Sequence, residues 1–311
     1  MGLELEDLGY GFYRLSNGKA ATIVRDSLIR MDDFLIFKLS DNKSVIHHLL
    51  AERNLPVPVW ATSTGLTIPQ RAMESLKDGK TLVCKPAYGS TGGFGVITGI
   101  RSSKQLHRAL KRTLTICDTA LIEEFVTGNS YRLLLLDGVL LDAVHRKPPI
   151  VIGDGAKSIR ELISAENEWR LRADPCVALS ILTHDKEMQS TLHAANRTLA
   201  SVPSRGEIVQ VKFVVNQNSA ERNIRVLEDV HASILDICRK AISSLEIRLA
   251  GVDLIAEDIS RSVKEQILVI NEVNCLPGLH HHYLVSNQSP DFCVATKIIQ
   301  TILAESRLNG R

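Results

Sequence analysis

The sequence predicts an α+β fold arranged around one cleft, and three observations carry this reading. Short β-rich runs and amphipathic helical runs are mixed without the regular alternation of a doubly wound sheet. Two strand pairs are joined by the turn dipeptides Asn17-Gly18 and Asp137-Gly138, strong hairpin signals. The chain has 311 residues, enough for a sizeable core divided into two or three subdomains.

The elements follow in order. Residues 1–40 are mixed, with a hairpin at Asn17-Gly18 between Tyr13-Arg14-Leu15 and residues 20–24. A helix is expected over 41–53, with Val45, Ile46, Leu49 and Leu50 on one face, stopped by Pro56 and Pro58. A short helix starts at Ile68-Pro69-Gln70 and ends at Gly79. Strands over 81–85 and 96–100 flank a glycine-dense loop, and an amphipathic helix over 102–114 follows. Strands are expected over 120–126, 131–136 and 139–143, the last two joined by Asp137-Gly138. Gly153-Asp154-Gly155 turns the chain into a helix over 158–165, and residues 166–205 are polar and partly helical. The remaining expectations are a strand over 209–215, a helix over 231–245, strands over 251–256 and 266–271, and a closing helix over 290–306.

Bulk composition narrows the function classes. Hydrophobic residues make up 44% and charged residues 23%, the balance of an ordinary globular enzyme. The net charge of +2 gives no global field to draw the chain onto nucleic acid or a membrane, so basic clusters must be local chemistry. The six cysteines, Cys84, Cys117, Cys176, Cys238, Cys275 and Cys293, form no C-x-x-C pair and read as apolar fillers in a reducing compartment. Residues 1–8 hold three acids and no signal-like apolar stretch, and runs such as 133–136 are far too short to span a bilayer. The expectation is a cytoplasmic protein with no nucleic-acid or membrane partner.

Four constellations could carry chemistry. Lys85-Pro86 precedes Gly89-Ser90-Thr91-Gly92-Gly93-Phe94-Gly95. Glycines let backbone N–H groups approach phosphate oxygens, and the lysine adds a point charge. The spacing fits neither a Walker A loop nor a Rossmann fingerprint, and a tight hairpin without a ligand would read the same. In Asn271-Glu272-Val273-Asn274, Glu272 and Asn274 share one strand face, and Asp253 lies in an apolar run expected on the neighbouring strand. An oxygen-only set of this kind suits magnesium, and a buried lone acid is costly unless paired or metal-bound; a polar sheet edge is the alternative.

Lys43, Arg132, Arg146 and Lys212 form the third group. Singly, each reads as a surface ion pair; together, with a phosphate loop and a metal site, they could clamp a transferring phosphoryl group. The fourth is His280-His281-His282, of which at most two could share an ion; a loop lining the site is the reading preferred.

In their order along residues 41–300, these motifs resemble the ATP-grasp ligases, and within them the ATP-grasp portions of cyanophycin synthetases and bifunctional glutathione synthetases. The resemblance rests on Leu82-Val83-Cys84-Lys85-Pro86 with its loop, Leu121-Ile122-Glu123-Glu124-Phe125-Val126 and Tyr131-Arg132-Leu133-Leu134. It extends through Val151-Ile152-Gly153-Asp154-Gly155 with Ile159-Arg160-Glu161-Leu162-Ile163, then Ala250-Gly251-Val252-Asp253, and residues 270–278 ending in Pro277-Gly278. It implies two α+β subdomains clasping ATP, with residues 1–40 a shortened N-terminal region, 41–126 the N-terminal ATP-grasp part including the glycine-loop lid, and 127–311 the catalytic subdomain.

The resemblance also implies residue roles. Lys43 and Lys85 reach the nucleotide phosphates with Gly89, Ser90, Gly92, Gly93 and Gly95, while Glu123, Glu124, Phe125 and Val126 form the hinge whose backbone holds adenine. Arg132 and Arg146 face the γ-phosphate and acyl-phosphate, Lys212 and Asn216 lie on a strand closing over the site, and Asp253, Glu272 and Asn274 hold magnesium, for which manganese could substitute. Ser130 stands where the family often has a ribose-holding acid, and Gln217-Asn218-Ser219-Ala220 departs from the cyanophycin synthetase pattern. The implied activity joins a small carboxylate, an amino acid or peptide, to an amine through an acyl-phosphate. A carboxylate or hydroxyl kinase and a non-catalytic nucleotide-binding subunit are the alternatives, and homo-oligomerisation and completion of the short N-terminal region by a partner stay open.

Overall fold

The computed structural model describes residues 2–308 apart from residues 27, 91 and 290. Thr91 of the glycine loop, Pro290 at the expected start of the last helix, and the side chain of Asn216 therefore lie outside the described residues.

A three-stranded antiparallel sheet opens the chain: β1 (Glu4–Gly9), β2 (Phe12–Ser16) and β3 (Ala21–Arg25). The hairpin read from Asn17-Gly18 is present, with Ser16 paired to Ala21; β1 is an addition to it. Helix α1 (Phe34–Asp41) was not anticipated, although its signal is local: Asp33 caps it by accepting from the Ile36 N–H at 2.9 Å. Helix α2 (Lys43–Glu52) starts at the cap Asn42, within the span expected. Ile46 and Leu50 are buried while Val45 is exposed, so its apolar face is narrower than the sequence suggested.

A four-stranded antiparallel sheet follows, built from β4 (Trp60–Ser63), β5 (Leu82–Pro86), β6 (Ile97–Ile100) and β7 (Ala120–Glu124) in the order β4-β7-β5-β6. Helices α3 (Gln70–Lys77) and α4 (Ser103–Thr113) cover it, burying Ala72, Leu82, Cys84, Ile100, Leu106, Leu110 and Ile122 in one cluster. The glycine loop connects β5 to β6, as expected.

The larger sheet has five antiparallel strands. Strands β8 (Asn129–Leu136) and β9 (Val139–Arg146) form the hairpin expected at Asp137-Gly138, whose φ values of +48° and +79° suit a turn twisting with its strands. Strand β10 (Ile150–Ile152) leads into α5 (Ile159–Arg172), which carries a full capping box between Ser158 and Glu161. Helix α6 (Lys186–Ala194) and strand β11 (Ile208–Gln210) follow, with β11 paired to β10. The chain continues through β12 (Asn223–Arg225), α7 (Ala232–Ser244), β13 (Leu249–Ala256), β14 (Leu268–Cys275), α8 (His280–Tyr283) and α9 (Val294–Leu308). The order is β12-β9-β8-β13-β14.

Helices α2 and α7 pack on one face of this sheet, where Ile46, Leu50, Ile234, Cys238 and Ile242 meet Leu133, Leu135, Val252 and Ile270. On the other face Val294, Ile298 and Ile302 of α9 cover Leu134, Leu136 and Leu249. Further along the strands, that second face carries Arg132, Asp253 and Glu272.

One expected element is cut short. The strand read over 209–215 ends at Gln210, because the Phe213 and Val214 N–H groups are taken by a Glu187 carboxylate oxygen at 2.6 and 3.3 Å instead of a neighbouring strand.

Candidate active site

Register aligns the acids and arginines of the larger sheet. Arg132 on β8 is directly opposite Asp253 on β13, which is directly opposite Glu272 on β14. Directly opposed residues share a face, so the three side chains form one row. Asn274, two residues beyond Glu272, shares that face, as the sequence reading required. Arg132 holds Asp253 through two parallel bonds, Nε to Oδ1 at 2.7 Å and Nη2 to Oδ2 at 2.6 Å. Arg146, at the end of β9, reaches the same Oδ1 at 3.5 Å. Two guanidiniums thus share one carboxylate.

The four-stranded sheet holds a second charged group. Lys85 on β5 and Glu123 on β7 form a buried ion pair at 2.8 Å, and His47 Nε2 lies 2.6 Å from the other Glu123 oxygen. The Glu123 side chain is therefore a lysine anchor, whereas the hinge reading had assigned the segment through its backbone. Sequence reasoning missed His47. Its only signal was its place one helical turn after Lys43, which puts both side chains on one side of α2. Glu124 accepts from the Ser75 hydroxyl at 2.7 Å.

Lys43 joins the two groups. Its ammonium lies 3.5 Å from Glu272 and donates to the Ser90 carbonyl at 3.2 Å. Its backbone N–H donates to Ala87 at 2.9 Å, and the Gly89 N–H donates to Asp41 at 3.2 Å. The start of α2 is thereby tied to the start of the glycine loop. Gly89, Gly92, Gly93 and Gly95 all have positive φ, from +64° to +79°. At Gly95 an added Cβ would also lie 2.9 Å from Pro86.

Lys212 belongs to a different cluster. Its side chain is 2% exposed and its ammonium is bound by Thr183 at 3.1 Å, by Asp185, and by Glu187 at 3.7 Å. None of its described partners is in the row. The adjacent Phe213 packs edge-on against the hinge Phe125, with ring centroids 5.9 Å apart. Val126 directly follows Phe125.

The electrostatics follow from burial and pairing. Burial opposes ionisation of Asp253, but Arg132 and then Arg146 outweigh it and hold the carboxyl below its usual range. Burial likewise opposes Glu123, and Lys85 and His47 overcome it, leaving its carboxyl at about 2. Burial also opposes the charge of Arg132, yet Asp253 raises its basicity. For Arg146 the compensation falls short: burial and the neighbouring Arg132 outweigh Asp253 and Glu272 and push it down to about 10. Its Nε, the Asn274 Nδ2 and the His282 Nε2 are buried without a hydrogen-bond partner among the described residues.

A third buried network underlies this face and was not anticipated. Asp142 on β9 is fully buried and binds His282 Nδ1 at 2.8 Å and Arg225 Nε at 3.0 Å. Arg225 also donates to the His282 carbonyl at 3.1 Å and lies over the Phe292 ring. The three histidines form a short helix, not a loop. Among the described residues no three His, Cys, Asp or Glu side chains form a metal-binding group. Glu272 and Asn274 nevertheless offer hard oxygens on one face, next to an Asp253 carboxylate shared with Arg132, a donor set that fits magnesium when phosphate oxygens and water complete the shell.

No profile of a known protein family matches the chain. The chain is 28% identical over 254 residues to cyanophycin synthetase of Trichormus variabilis, an alignment covering 81% of this chain and 28% of that protein. It is 26% identical over 274 residues to the bifunctional glutathione biosynthesis protein of Clostridium perfringens, covering 87% of this chain and 35% of that one. The chain thus spans about a third of the length of these curated relatives. The crystal structure of a bifunctional glutathione synthetase from Pasteurella multocida superposes with a TM-score of 0.60 at 20% identity, over 98% of this chain and 42% of the other. A D-alanine–D-alanine ligase from Bacillus anthracis gives 0.50 at 14% identity, over 87% of this chain and 68% of that one. The chain has the ATP-grasp fold that the motif order implied. Among the described residues no helix is long and apolar enough to cross a membrane.

Proposed function

We propose that this chain is an ATP-dependent ligase that joins a carboxylate to an amine through an acyl-phosphate, acting on an amino acid or small peptide. The observation that carries the reading is Arg146. It is a buried guanidinium whose one close carboxylate already belongs to Arg132, and whose Nε has no partner among the described residues. A buried cation with only part of a carboxylate is costly to keep, and an incoming anion relieves that cost. The homology to proteins named as synthetases supports the same reading.

The chemistry needs no covalent nucleophile on the protein. A substrate carboxylate oxygen bonds to the γ-phosphorus while the bond to ADP breaks. An amine nitrogen then bonds to the acyl carbon while the bond to phosphate breaks. Arg146 and Arg132 orient the carboxylate and balance charge developing on the transferred group. Lys85, held by Glu123, and Lys43 bind the nucleotide phosphates, with the glycine loop as a lid that excludes water. The backbone of residues 123–126 holds adenine, and Lys212 steadies the segment that covers it. Glu272, Asn274 and the shared Asp253 would hold magnesium, or manganese, which when bound neutralises phosphate charge. In this reading residues 41–126 and 127–311 are the two halves of the clasp.

The test is acid-dependent release of ADP and phosphate from Mg·ATP across a panel of amino acids, with mass spectrometry of the products. An amide product is expected. ADP release that no acid stimulates overturns the proposal, and so does a Glu272→Ala variant that turns over ATP normally.

A further inference from the structure

We infer that helix α4 (Ser103–Thr113) is a docking surface for an acidic segment of another protein. The inference does not depend on the ligase reading, because the surface lies away from the cleft. Leu106, Ala109 and Leu110 of α4 pack with Leu82, Cys84 and Ile122 of the four-stranded sheet. Lys85 and Glu123, the chain neighbours of Cys84 and Ile122, point to the opposite face.

The starting point is where the chain puts its charge. Its net charge is only +2, yet residues 101–117 hold five Lys and Arg and no acid. Lys104, His107, Arg108, Lys111 and Arg112 recur at the spacing of one helix face, and all five residues are exposed. The two lysines and two arginines of this face have no ion-pair partner among the described residues.

Stability alone would not build a helix face this way. Like charges three and four positions apart repel, and Lys104 stands in the first turn, where the helix dipole disfavours a cation. Helix α5 shows the ordinary arrangement in the same molecule. There Glu166 pairs with Arg170 at 2.8 Å and Glu168 with Arg172 at 3.9 Å, the acid four residues before the base each time. On α4 every such acid is replaced, and the counter-charge comes from a partner.

The form of the stripe selects that partner. Its exposed residues include no Phe, Tyr or Trp on which a base could stack, and no large apolar side chain to enter a membrane. The apolar side of α4 is buried in its own core. Helix α3 packs on the same face of the sheet, and Glu74 and its C-cap Asp78 are exposed. The positive stripe is therefore one helix wide, about 10 Å. A duplex, whose major groove alone spans about 12 Å, would also meet those acids, and so would a flat anionic membrane. An acidic helix or strand laid along α4 meets cations only.

The test compares three anionic probes. Fluorescence anisotropy reads binding of a labelled alanine-rich helical peptide with glutamate at every fourth position and of an RNA duplex; co-sedimentation reads binding to phosphatidylserine vesicles. The wild type is expected to bind the peptide most tightly, and less so as salt rises. K104E with R108E should weaken peptide binding about tenfold or more. K240E with K264E, an equal change of net charge at exposed lysines elsewhere, should leave it unchanged. Because K104E removes a cation from the first turn, the stripe variant is expected to melt no lower than wild type. Should it melt lower, K111Q with R112Q makes the same test on the same face. No peptide binding at low salt, a stripe variant that binds like wild type, equal losses in both pairs, or tighter binding of the RNA or the vesicles overturns the inference. Salt-sensitive self-association of the wild type that the stripe variant lacks assigns the face to a second copy and overturns it too.

Discussion

The two sheets of the clasp treat buried charge in opposite ways. On the four-stranded sheet, Lys85 and His47 converge on one Glu123, each with its own carboxylate oxygen. On the five-stranded sheet, Arg132 and Arg146 compete for one Asp253, and Arg132 wins both oxygens. The first arrangement is closed and holds a lysine still. The second has one cation more than its carboxylate can serve. The comparison teaches that a binding site can be recognised by incomplete compensation, since a structural ion pair has no reason to leave a buried guanidinium short of partners.

The largest expected effect tests that surplus directly. Arg146→Ala should slow acid-dependent ADP formation about a thousandfold, the scale for a lost charge-stabilising group, while the thermal midpoint holds or rises because an incompletely compensated buried cation is gone. A drop of less than about tenfold would place the surplus outside the chemistry. Next comes the closed pair. Glu123→Gln leaves Lys85 buried without its anion and should cost about 3–5 kcal/mol of stability, measured by urea unfolding.

The acidity of Glu123 gives that variant a pH signature. Folding lowers its carboxyl from an ordinary 4.5 to about 2, so its contribution is complete above the ordinary value and lost as pH falls toward 2. The stability gap between wild type and Glu123→Gln should be flat from neutral pH down to that ordinary value and narrow below it. A gap that stayed constant into strong acid would mean the pair is not the source. The smallest effect belongs to Gly95→Ala, where a positive φ and the contact with Pro86 should cost about 1–3 kcal/mol.

Much of this was legible in the sequence where the signal is local. The turns at Asn17-Gly18 and Asp137-Gly138, the positive-φ glycines after Lys85, and the shared face of Glu272 and Asn274 all follow from backbone rules acting over a few residues. What escaped is mostly pairing at long range. His47 meets Glu123 across 76 positions and His282 meets Asp142 across 140, distances over which no periodicity points from one to the other. Lys212 read as a cation for the site because the family resemblance put it on a strand closing over the cleft. Its charge is instead served by Asp185 and Glu187 on a helix and its cap. Glu187 also takes the N–H groups that the expected strand would have used.

The contact between Gly251 and Pro277, where a Cβ added to the glycine would lie 2.8 Å from the proline, has a geometric consequence. It fixes the span between the arginine row and the turn after β14 by seating the Pro277 ring on a glycine backbone, where any other residue would hold the two apart. In the proposed ligase, side chains that select the substrates could then change without altering that spacing. The spacing belongs to the scaffold, and the side chains around it are free to vary.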